Sequence, residues 1–252
     1  MVSLKKLLEE ESYVIGLTAS EWLRPSLVKL AQQTGFDFIY IEYEHIFIDP
    51  ATFTDFVISA RDNGLPVVAK TPELYRHLIL KILEAGVTGI QLPRTNTATD
   101  VADLVNYCRY PPEGTRAGST GMASTDYVHL EAAEHMCLAN AELCVVGHVE
   151  TKEGLQNIDQ IAAQPGLDVC YVGTFDLAIE LETAGDMSSP RVMEAMDRIC
   201  AACQQHEVII GANGTTPQMV NDLLKKGVRF FEGPTELDLF REGASSFTRG
   251  LP

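Results

Sequence analysis

Three features are scarce or missing in this 252-residue chain, and each absence excludes a class of protein. Basic residues are few, with 19 Lys and Arg against 35 Asp and Glu, so the net charge is −16. A surface this acidic repels phosphate backbones and anionic lipids, which argues against nucleic acid or a membrane surface as a partner. No apolar run reaches the roughly 18 residues that cross a bilayer. Residues 1–11 are typical of an amphipathic helix and lack the apolar core of a signal peptide, so we expect a cytoplasmic protein.

Nucleotide-binding and redox motifs are also missing. No Gly-x-Gly-x-x-Gly follows the first predicted strand and there is no phosphate loop, which disfavours a doubly wound dinucleotide-binding sheet. The six cysteines are scattered. Cys200 and Cys203 have the spacing of a redox or metal pair, but they lie in a helical pattern without a second pair. We therefore predict that they pack in the core as small apolar side chains.

What the sequence does contain is an alternation of short apolar runs with helical patterns. The runs predict strands at 13–17, 37–43, 66–69, 89–92, 143–149, 168–172, 208–211 and 229–232. Near-continuous apolar strands indicate burial on both faces, as in a parallel sheet covered by helices. Eight strand–helix units in about 250 residues predict an α/β fold, a (β/α)8 TIM barrel formed as a single domain by residues 1–252. A doubly wound open sheet is the alternative.

Turn residues support these boundaries. Glycines precede four of the strands, where a helix needs a left-handed cap, and threonines stand at three helix starts as candidate N-caps: Gly35, Gly64, Gly86 and Gly227, then Thr97, Thr151 and Thr216. The irregular stretch 109–127 is longer than an ordinary connection, and loops of that length tend to be functional.

The active site of such a barrel lies at the carboxyl ends of its strands, so polar residues there are the informative ones. They are Glu42, Glu44, His45, Lys70, Gln91, Arg94, His148, Glu150, Asp176, Asn213 and Glu232. Glu150 and Asp176 follow successive strands, where two carboxylates would repel unless a hard divalent cation such as Mg²⁺ or Mn²⁺ lay between them. His148 points to the same face as Glu150 and is a third ligand or a supporting donor. The alternative is that both carboxylates only cap helices.

Two further residues, His45 and Lys70, have more than one open interpretation. His45 suits general-base work, since the ordinary pKa of histidine is near 6.5, but a loop histidine bonded to a carboxylate would look the same. Lys70 lies on an apolar strand, where a buried ammonium needs a partner. That partner is a substrate carboxylate, a ketone in a Schiff base, or a structural ion pair with Glu42 or Glu44.

Four segments together resemble the HpcH/HpaI class II aldolases. They are Glu44-His45, the run Arg109-Tyr-Pro-Pro-Glu-Gly-Thr-Arg-Ala-Gly118, the segment Val149-Glu150-Thr-Lys-Glu-Gly and the segment Val172-Gly-Thr-Phe-Asp176-Leu. The resemblance extends over about residues 13–245. It implies a modified TIM barrel that assembles as a homo-hexamer, a trimer of dimers, with a terminal helix exchanged between neighbours. It also implies a divalent metal (Mg²⁺ or Mn²⁺, or Co²⁺) and reversible cleavage of 4-hydroxy-2-oxo acids to pyruvate and an aldehyde.

The resemblance also assigns roles to single residues. Glu150 and Asp176 match the metal carboxylates, and His45 matches the base that acts on the substrate hydroxyl. Glu84 stands where the family has an aspartate that partners this histidine. The backbone N–H groups of Phe175 and Asp176 would hold the pyruvyl carboxylate at the start of a helix.

The chain departs from the family pattern at four positions. Lys70 replaces an arginine that binds the pyruvyl oxygen, which keeps the charge but loses the bidentate fork. His148 replaces a glutamine, and Thr174-Phe175 replaces a Pro-Ala pair. We therefore expect a metal-dependent carbon–carbon lyase acting on a 2-oxo acid. Two alternatives stay open: a related metal–enolate enzyme with a citrate-like or acyl-thioester substrate, and a binding protein on a lapsed enzyme scaffold.

Overall fold

The computed structural model describes residues 3–251. Eight parallel strands close into a barrel in which each strand pairs with its neighbours in chain order and β8 pairs with β1. The strands are β1 Val14–Ala19, β2 Phe38–Ile41, β3 Val67–Lys70, β4 Gly89–Leu92, β5 Cys144–Val149, β6 Val169–Val172, β7 Ile209–Asn213 and β8 Val228–Thr235. This confirms the predicted (β/α)8 barrel, and every predicted strand overlaps an observed one.

Helices surround the barrel and connect its strands. They are α1 Leu4–Glu10, α2 Pro25–Gln33, α3 Pro50–Asp62, α4 Arg76–Glu84, α5 Ala98–Cys108, α6 Ala132–Glu142, α7 Lys152–Gln156, α8 Ile158–Ala162, α9 Thr174–Glu180, α10 Pro190–Gln205, α11 Pro217–Leu224 and α12 Glu236–Arg249. The predicted N-terminal helix is thus seen from Leu4, while Met1 and Val2 lie outside the described residues. None of the helices between residues 3 and 251 is long and apolar enough to cross a membrane.

The predicted caps form as expected. The hydroxyls of Thr97, Thr151 and Thr216 each accept a backbone N–H of the helix that follows. The four glycines before strands have positive φ angles between 75° and 100°. Cys200 and Cys203 are buried and free, in agreement with a packing role. The stretch 109–127 contains a short 3₁₀ helix, Ala123–Thr125, rather than a regular strand or α-helix.

The lower half of the barrel interior is apolar. We call the side chains of Phe38, Val68, Val146, Val169 and Phe230 the apolar floor; all five are fully buried. The rings of Phe38 and Phe230 stack with their centroids 4.9 Å apart. Helix α1 packs Leu4 and Leu8 against the same cluster. The floor therefore forms a rigid base under the carboxyl ends of the strands.

Candidate active site

Above the apolar floor, the barrel interior becomes polar. We call the side chains of Tyr40, Gln91, His148, Tyr171 and Glu232 the polar layer; each is at most 5% exposed. Four of the five, Tyr40, Gln91, Tyr171 and Glu232, each carry a buried polar atom without a hydrogen-bond partner among residues 3–251. Every member lies two residues beyond an inward-facing position lower on its own strand. The polar layer is therefore the place where these five strands pass from core to site.

Glu232 is the charged member of the polar layer. Burial raises the pKa of its carboxyl to about 8, although Tyr171 and Lys70 nearby act to lower it. At neutral pH this carboxyl is consequently protonated. A neutral acid inside the barrel avoids the cost of a buried unpaired charge.

Glu150 stands just above the polar layer, at the end of β5. Its Oε1 accepts the backbone N–H of Arg94 at 2.7 Å, and its Oε2 lies 3.1 Å from Nε2 of His148. Burial raises the pKa of Glu150 to about 7, and the negative charges of Asp176 and Glu44 add to this rise. The side chain is only 3% exposed. A carboxylate crowded in this way gains from a cation more than an exposed one does.

The orientation of His148 follows from its other neighbour. The amide nitrogen of Gln91 lies 3.0 Å from Nδ1 of His148. Since an amide nitrogen only donates, Nδ1 accepts, and the proton of the neutral ring lies on Nε2, facing Glu150. Burial, together with the positive charge of Lys70, holds the pKa of His148 well below its usual range. The predicted pairing of His148 with Glu150 on one face is thus seen.

Gly173, at the end of β6, makes this arrangement possible. A Cβ atom at this position would lie 2.2 Å from Nε2 of His148 and 2.7 Å from the Cβ of Glu150. No larger residue fits here without displacing both side chains. The sequence shows the glycine within Val172-Gly-Thr-Phe-Asp176, but its steric role depends on a close approach between two strands.

Asp176 lies in the first turn of α9, directly after β6. Its negative charge contributes to the raised pKa of Glu150, which places the two predicted metal carboxylates in one electrostatic environment. The alternative, that both only cap helices, is wrong. Thr151 rather than Glu150 caps α7, and α9 has Gly173 at its N-cap position. Phe175, whose N–H we predicted to hold a carboxylate, is 55% exposed at the same helix start.

Lys70, at the end of β3, takes the structural ion pair that the sequence left open. Its Nζ lies 2.6 Å from Oε2 of Glu44 and 3.6 Å from Oε2 of Glu42, with the side chain 4% exposed. Burial alone would lower the pKa of Lys70, but the two carboxylates outweigh it, so the pKa is raised. The amine is therefore protonated, which disfavours a Schiff base.

His45 follows β2 at the same rim of the barrel. Its side chain is 65% exposed, and its Nε2 lies 3.7 Å from Oε2 of Glu44. The backbone N–H groups of Glu44 and His45 both donate to Oε1 of Glu42. Glu42 therefore orders the turn that carries the histidine.

The structure does not bring Glu84 to His45 within the chain. Glu84 is the last residue of α4, and the chain continues from there into the start of β4, at the amino-terminal rim of the barrel. Its carboxylate accepts from Arg116 at 3.2 Å and from the hydroxyl of Ser124 at 3.2 Å. Helices of this fold run antiparallel to the strands, so the end of a helix lies away from the strand ends where His45 stands.

The described residues contain one further arrangement that is able to bind a cation. A ligand atom from each of Glu42, Glu44 and His45 lies within 4.8 Å of the others. Lys70 offsets one of the two negative charges of this group, because its ammonium contacts both glutamates. Among the described residues, the carboxylates of Glu150 and Asp176 form no ion pair with a lysine or arginine, and Glu150 faces only His148.

Sequence reasoning missed Tyr40 and Tyr171 of the polar layer and the backbone contact of Arg94 with Glu150. Tyr40 and Tyr171 were taken as strand residues without a function, although each lies two positions beyond an inward-facing apolar residue. That period of two was the available signal. Arg94 has a φ of 47°, and no sequence pattern predicts an arginine in the left-handed backbone region.

Comparisons with known proteins agree with this architecture. The sequence model of the HpcH/HpaI aldolase/citrate lyase family matches residues 21–242. A 4-hydroxy-4-methyl-2-oxoglutarate aldolase of Hapsidospora irregularis is 30% identical over 75% of this chain and 71% of its own length. A hydroxypyruvate/pyruvate aldolase of Chromohalobacter salexigens is 37% identical over 66% of this chain and 64% of its own length.

A solved structure gives the same fold over the whole chain. The HpcH/HpaI aldolase of Desulfitobacterium hafniense superposes with a TM-score of 0.93, covering 100% of this chain and 98% of that one, at 22% sequence identity. Because the family model covers most of the chain, the predicted membership and the predicted enzyme class of aldolase or carbon–carbon lyase are confirmed. The chain belongs to the HpcH/HpaI aldolase/citrate lyase family.

Proposed function

We propose that this protein is a divalent-metal-dependent aldolase that reversibly cleaves a 4-hydroxy-2-oxo acid to pyruvate and an aldehyde. The observation that carries the proposal is the pair Glu150 and Asp176 at the ends of neighbouring strands. Glu150 is almost fully buried, and its pKa is raised to about 7. The names of the aldolase relatives support the same reaction class.

The residues of the site fit a hard divalent cation. Carboxylate oxygens are the ligands that Mg²⁺ and Mn²⁺ prefer. Burial raises the pKa of Glu150 and the charge of Asp176 adds to this rise, and a cation held by Glu150 and Asp176 would offset both effects. Nε2–H of His148 faces Glu150 and would hold the carboxylate in place. When bound, the metal would act as a Lewis acid toward the ketone and carboxylate oxygens of the 2-oxo acid and stabilise the enolate.

The residues of the site would then have separate roles in the reaction. The ammonium of Lys70, held by Glu44 and Glu42, supplies a fixed positive charge beside the reacting oxygen. His45 reaches the open rim, where a neutral imidazole accepts a proton. The N–H groups of Phe175 and Asp176 at the start of α9 would receive the carboxylate of the 2-oxo acid.

In the cleavage direction, His45 takes the proton of the C4 hydroxyl. The C3–C4 bond breaks, its electron pair moves onto the 2-oxo group, and C4 leaves as the aldehyde. A proton then returns to C3 to give pyruvate. In the other direction a proton leaves C3 and the resulting enolate attacks the aldehyde.

Exchange of deuterium into the methyl group of pyruvate tests this proposal, since it needs no knowledge of the aldehyde. We expect exchange in D₂O with Mg²⁺, Mn²⁺ or Co²⁺ that stops when a chelator is added. The absence of exchange with all three metals would exclude pyruvate as the donor. The matched control is Glu153→Gln, an exposed carboxylate in α7 three residues from Glu150, which should leave exchange unchanged.

A second candidate keeps the metal and changes the reaction to cleavage or condensation of a citrate-like or acyl-thioester substrate. The observation that favours it is Lys70, since a lysine clamped by two glutamates lacks the bidentate fork of an arginine. The variant Lys70→Arg separates the two. Higher retro-aldol activity would support the aldolase, whereas turnover of oxaloacetate or an acyl thioester that Lys70→Arg abolishes would support the second candidate.

We further propose that the protein assembles as a homo-hexamer, a trimer of dimers, through its terminal helix. Helix α12 exposes Leu239, Phe240 and Phe247, with exposed fractions of 41%, 62% and 72%. Apolar side chains grouped on one helix are typical of a subunit contact. Light scattering after size-exclusion chromatography measures the mass directly, and a monomer would contradict this proposal. The cytoplasmic location stays a prediction.

A further inference from the structure

We propose that Glu232 is a positioning residue: the proton of its carboxylic acid fixes the orientation of the Gln91 amide and, through Gln91, the tautomer of His148 that faces Glu150. Glu232 lies on β8, across the barrel from Gln91 on β4. The effect of this arrangement on catalysis rests on the proposed function. The arrangement itself concerns only side chains of this chain and is testable without substrate.

Four members of the polar layer share one level of the barrel interior. Tyr40, Gln91, Tyr171 and Glu232 lie on β2, β4, β6 and β8. In a (β/α)8 barrel alternate strands contribute the four side chains of one interior layer, and branched apolar residues ordinarily fill it. Here all four are polar, and each retains a buried atom without a partner among residues 3–251. Since such atoms lower stability, this level of the barrel serves a purpose other than packing.

The unpartnered atoms of Gln91 and Glu232 are both oxygens. Gln91 directs its amide nitrogen to Nδ1 of His148 at 3.0 Å, which leaves its Oε1 as the end without a donor. The carboxyl of Glu232, which has one unpartnered oxygen, is in polar contact with the side chains of Gln91 and Tyr171. An amide oxygen and an ionised carboxylate both only accept hydrogen bonds. One proton on Glu232 supplies the donor that Gln91 lacks.

The surroundings of Glu232 keep that proton in place at neutral pH. The titratable and charged groups that face it are Tyr40, Glu42, Lys70 and Tyr171. Burial raises the pKa of Glu232 to about 8 and the charge of Glu42 adds to the rise, although Tyr171, Lys70 and Gln91 oppose it. The pKa of each tyrosine is raised well above its usual range, so neither phenol ionises together with Glu232.

Gln91 passes this order on to His148. While Glu232 donates to Oε1 of Gln91, the amide presents an N–H to Nδ1 of His148, and the proton of the neutral ring lies on Nε2. That Nε2–H faces Oε2 of Glu150 at 3.1 Å. Tyr171 meets the ring of His148 edge to face, with the centroids 4.6 Å apart. Each donor therefore points toward the next acceptor, from Glu232 to Glu150.

The reverse arrangement would disturb Glu150. When Glu232 releases its proton to solvent above pH 8, its carboxylate attracts the N–H of Gln91 and no longer donates to Oε1. The amide then turns, its oxygen faces Nδ1 of His148, and the neutral ring carries its one proton on Nδ1 instead of Nε2. Nε2 and Oε2 of Glu150 would both be acceptors at 3.1 Å. A proposed metal ligand would thus lose the donor that holds it.

Nitrogen-15 NMR of the histidine side chains in the metal-free protein measures the tautomer of His148, whose signals are assigned by their loss in His148→Gln. At pH 7 we expect the wild type to favour the Nε2–H form by roughly tenfold, the equivalent of one hydrogen bond. Glu232→Met should lose this preference. Glu232→Gln keeps a neutral donor and should retain it. At pH 9.5 the wild type should shift toward the Nδ1–H form, whereas Glu232→Gln should not.

The matched control is Tyr40→Phe, which removes another buried polar atom from the same layer and should keep the wild-type tautomer at pH 7. Loss of the preference in Tyr40→Phe and not in Glu232→Met would make the hydroxyl of Tyr40 the donor and overturn the inference. An unchanged tautomer in Glu232→Met, or in the wild type at pH 9.5, would overturn it as well. The pH 9.5 measurement on the wild type needs no variant to fold.

Mn²⁺ binding and pyruvate exchange then connect the tautomer to the proposed function. Glu232→Met should weaken the Kd of Mn²⁺ by roughly tenfold at pH 7, while Glu232→Gln should bind as the wild type does. Equal weakening by both variants would show that Glu232 acts by its charge or packing and not by its proton, and would overturn the inference. The absence of pyruvate exchange in the wild type would overturn the proposed function and leave the tautomer result standing.

Discussion

The two halves of the barrel interior differ although they are built from the same strands. The apolar floor is closed by stacked and branched side chains, whereas the polar layer above it carries four buried polar atoms without a partner among residues 3–251. Four strands carry a residue of each, and they make the change within two residues, as from Phe38 to Tyr40 and from Phe230 to Glu232. The floor supplies stability, and the layer keeps polar groups in position at a cost in stability. In this fold the functional residues therefore lie in the part of the barrel interior that contributes less to stability.

The largest effect should follow from Glu150→Gln. The amide keeps the shape of the side chain but loses the negative charge that would bind the metal. We expect pyruvate exchange to fall on the order of a thousandfold, since several kcal/mol of stabilisation depend on the cation. Thermal unfolding should occur at the same or a higher temperature, because a buried carboxylate is removed. A loss of activity that only accompanies unfolding would contradict the assignment.

Truncation of a side chain in the apolar floor should have the opposite effect, a loss of stability. Phe38→Ala removes a fully buried ring that stacks on Phe230, and should lower the free energy of unfolding by about 3–5 kcal/mol. The matched variant in the polar layer is Tyr40→Phe, which removes a hydroxyl without a partner among the described residues and should change stability by less than about 1 kcal/mol. Denaturant unfolding compares the two directly. Equal losses of unfolding free energy in the two variants would show that the apolar floor and the polar layer do not differ in this way.

Lys70 marks the upper boundary of the polar layer. Replacing it by methionine leaves Glu44 and Glu42 without their shared cation, and should lower the free energy of unfolding by about 1–3 kcal/mol. Lys70→Arg keeps the charge and should retain most of the stability. Denaturant unfolding of both variants checks this. If methionine were tolerated as well as arginine, the ion pair would contribute nothing to the fold.

The effect of pH on stability is the smallest when it is counted per pH unit. The pKa of Glu232 is raised to about 8 in the folded protein, while an unfolded glutamate titrates near 4.3. Between these values the folded state keeps a proton that the unfolded chain has released, so stability falls as pH rises through this window, by up to about 1.4 kcal/mol per pH unit. Glu232→Gln should make the decline between pH 5 and 8 shallower. An unchanged slope would mean that Glu232 is charged in the fold.

The sequence predicted the barrel because burial on both faces leaves a plain signal. All eight apolar runs became strands, and the run at 89–92 was predicted with the observed limits. Glu150, Asp176 and Lys70 were found because charged residues at the end of apolar strands are unusual. These positions are local features of the chain, so a single sequence shows them.

The features that the sequence did not show depend on contacts between segments that lie far apart in the chain. The partner of Lys70 stayed open because a substrate carboxylate, a ketone or an ion pair with Glu42 or Glu44 would each satisfy a buried ammonium. The contact of Arg94 with Glu150 needs a left-handed turn, and the room for His148 needs the missing Cβ of Gly173. The resemblance gives the role of Glu84 without the rim on which it lies; its carboxylate contacts Arg116 and Ser124, and its pairing with His45 stays a prediction.

A titration of the metal-free protein with Mn²⁺, with free Mn²⁺ followed by electron paramagnetic resonance, tests the proposed metal site. We expect one site per chain, whose affinity falls below pH 7 as protons compete for Glu150, and which Glu150→Gln and Asp176→Asn each abolish. Glu153→Gln should bind as the wild type does. Binding that survives both site variants and is lost instead with Glu42→Gln would place the metal at the group of Glu42, Glu44 and His45 and exclude Glu150 and Asp176 as its ligands.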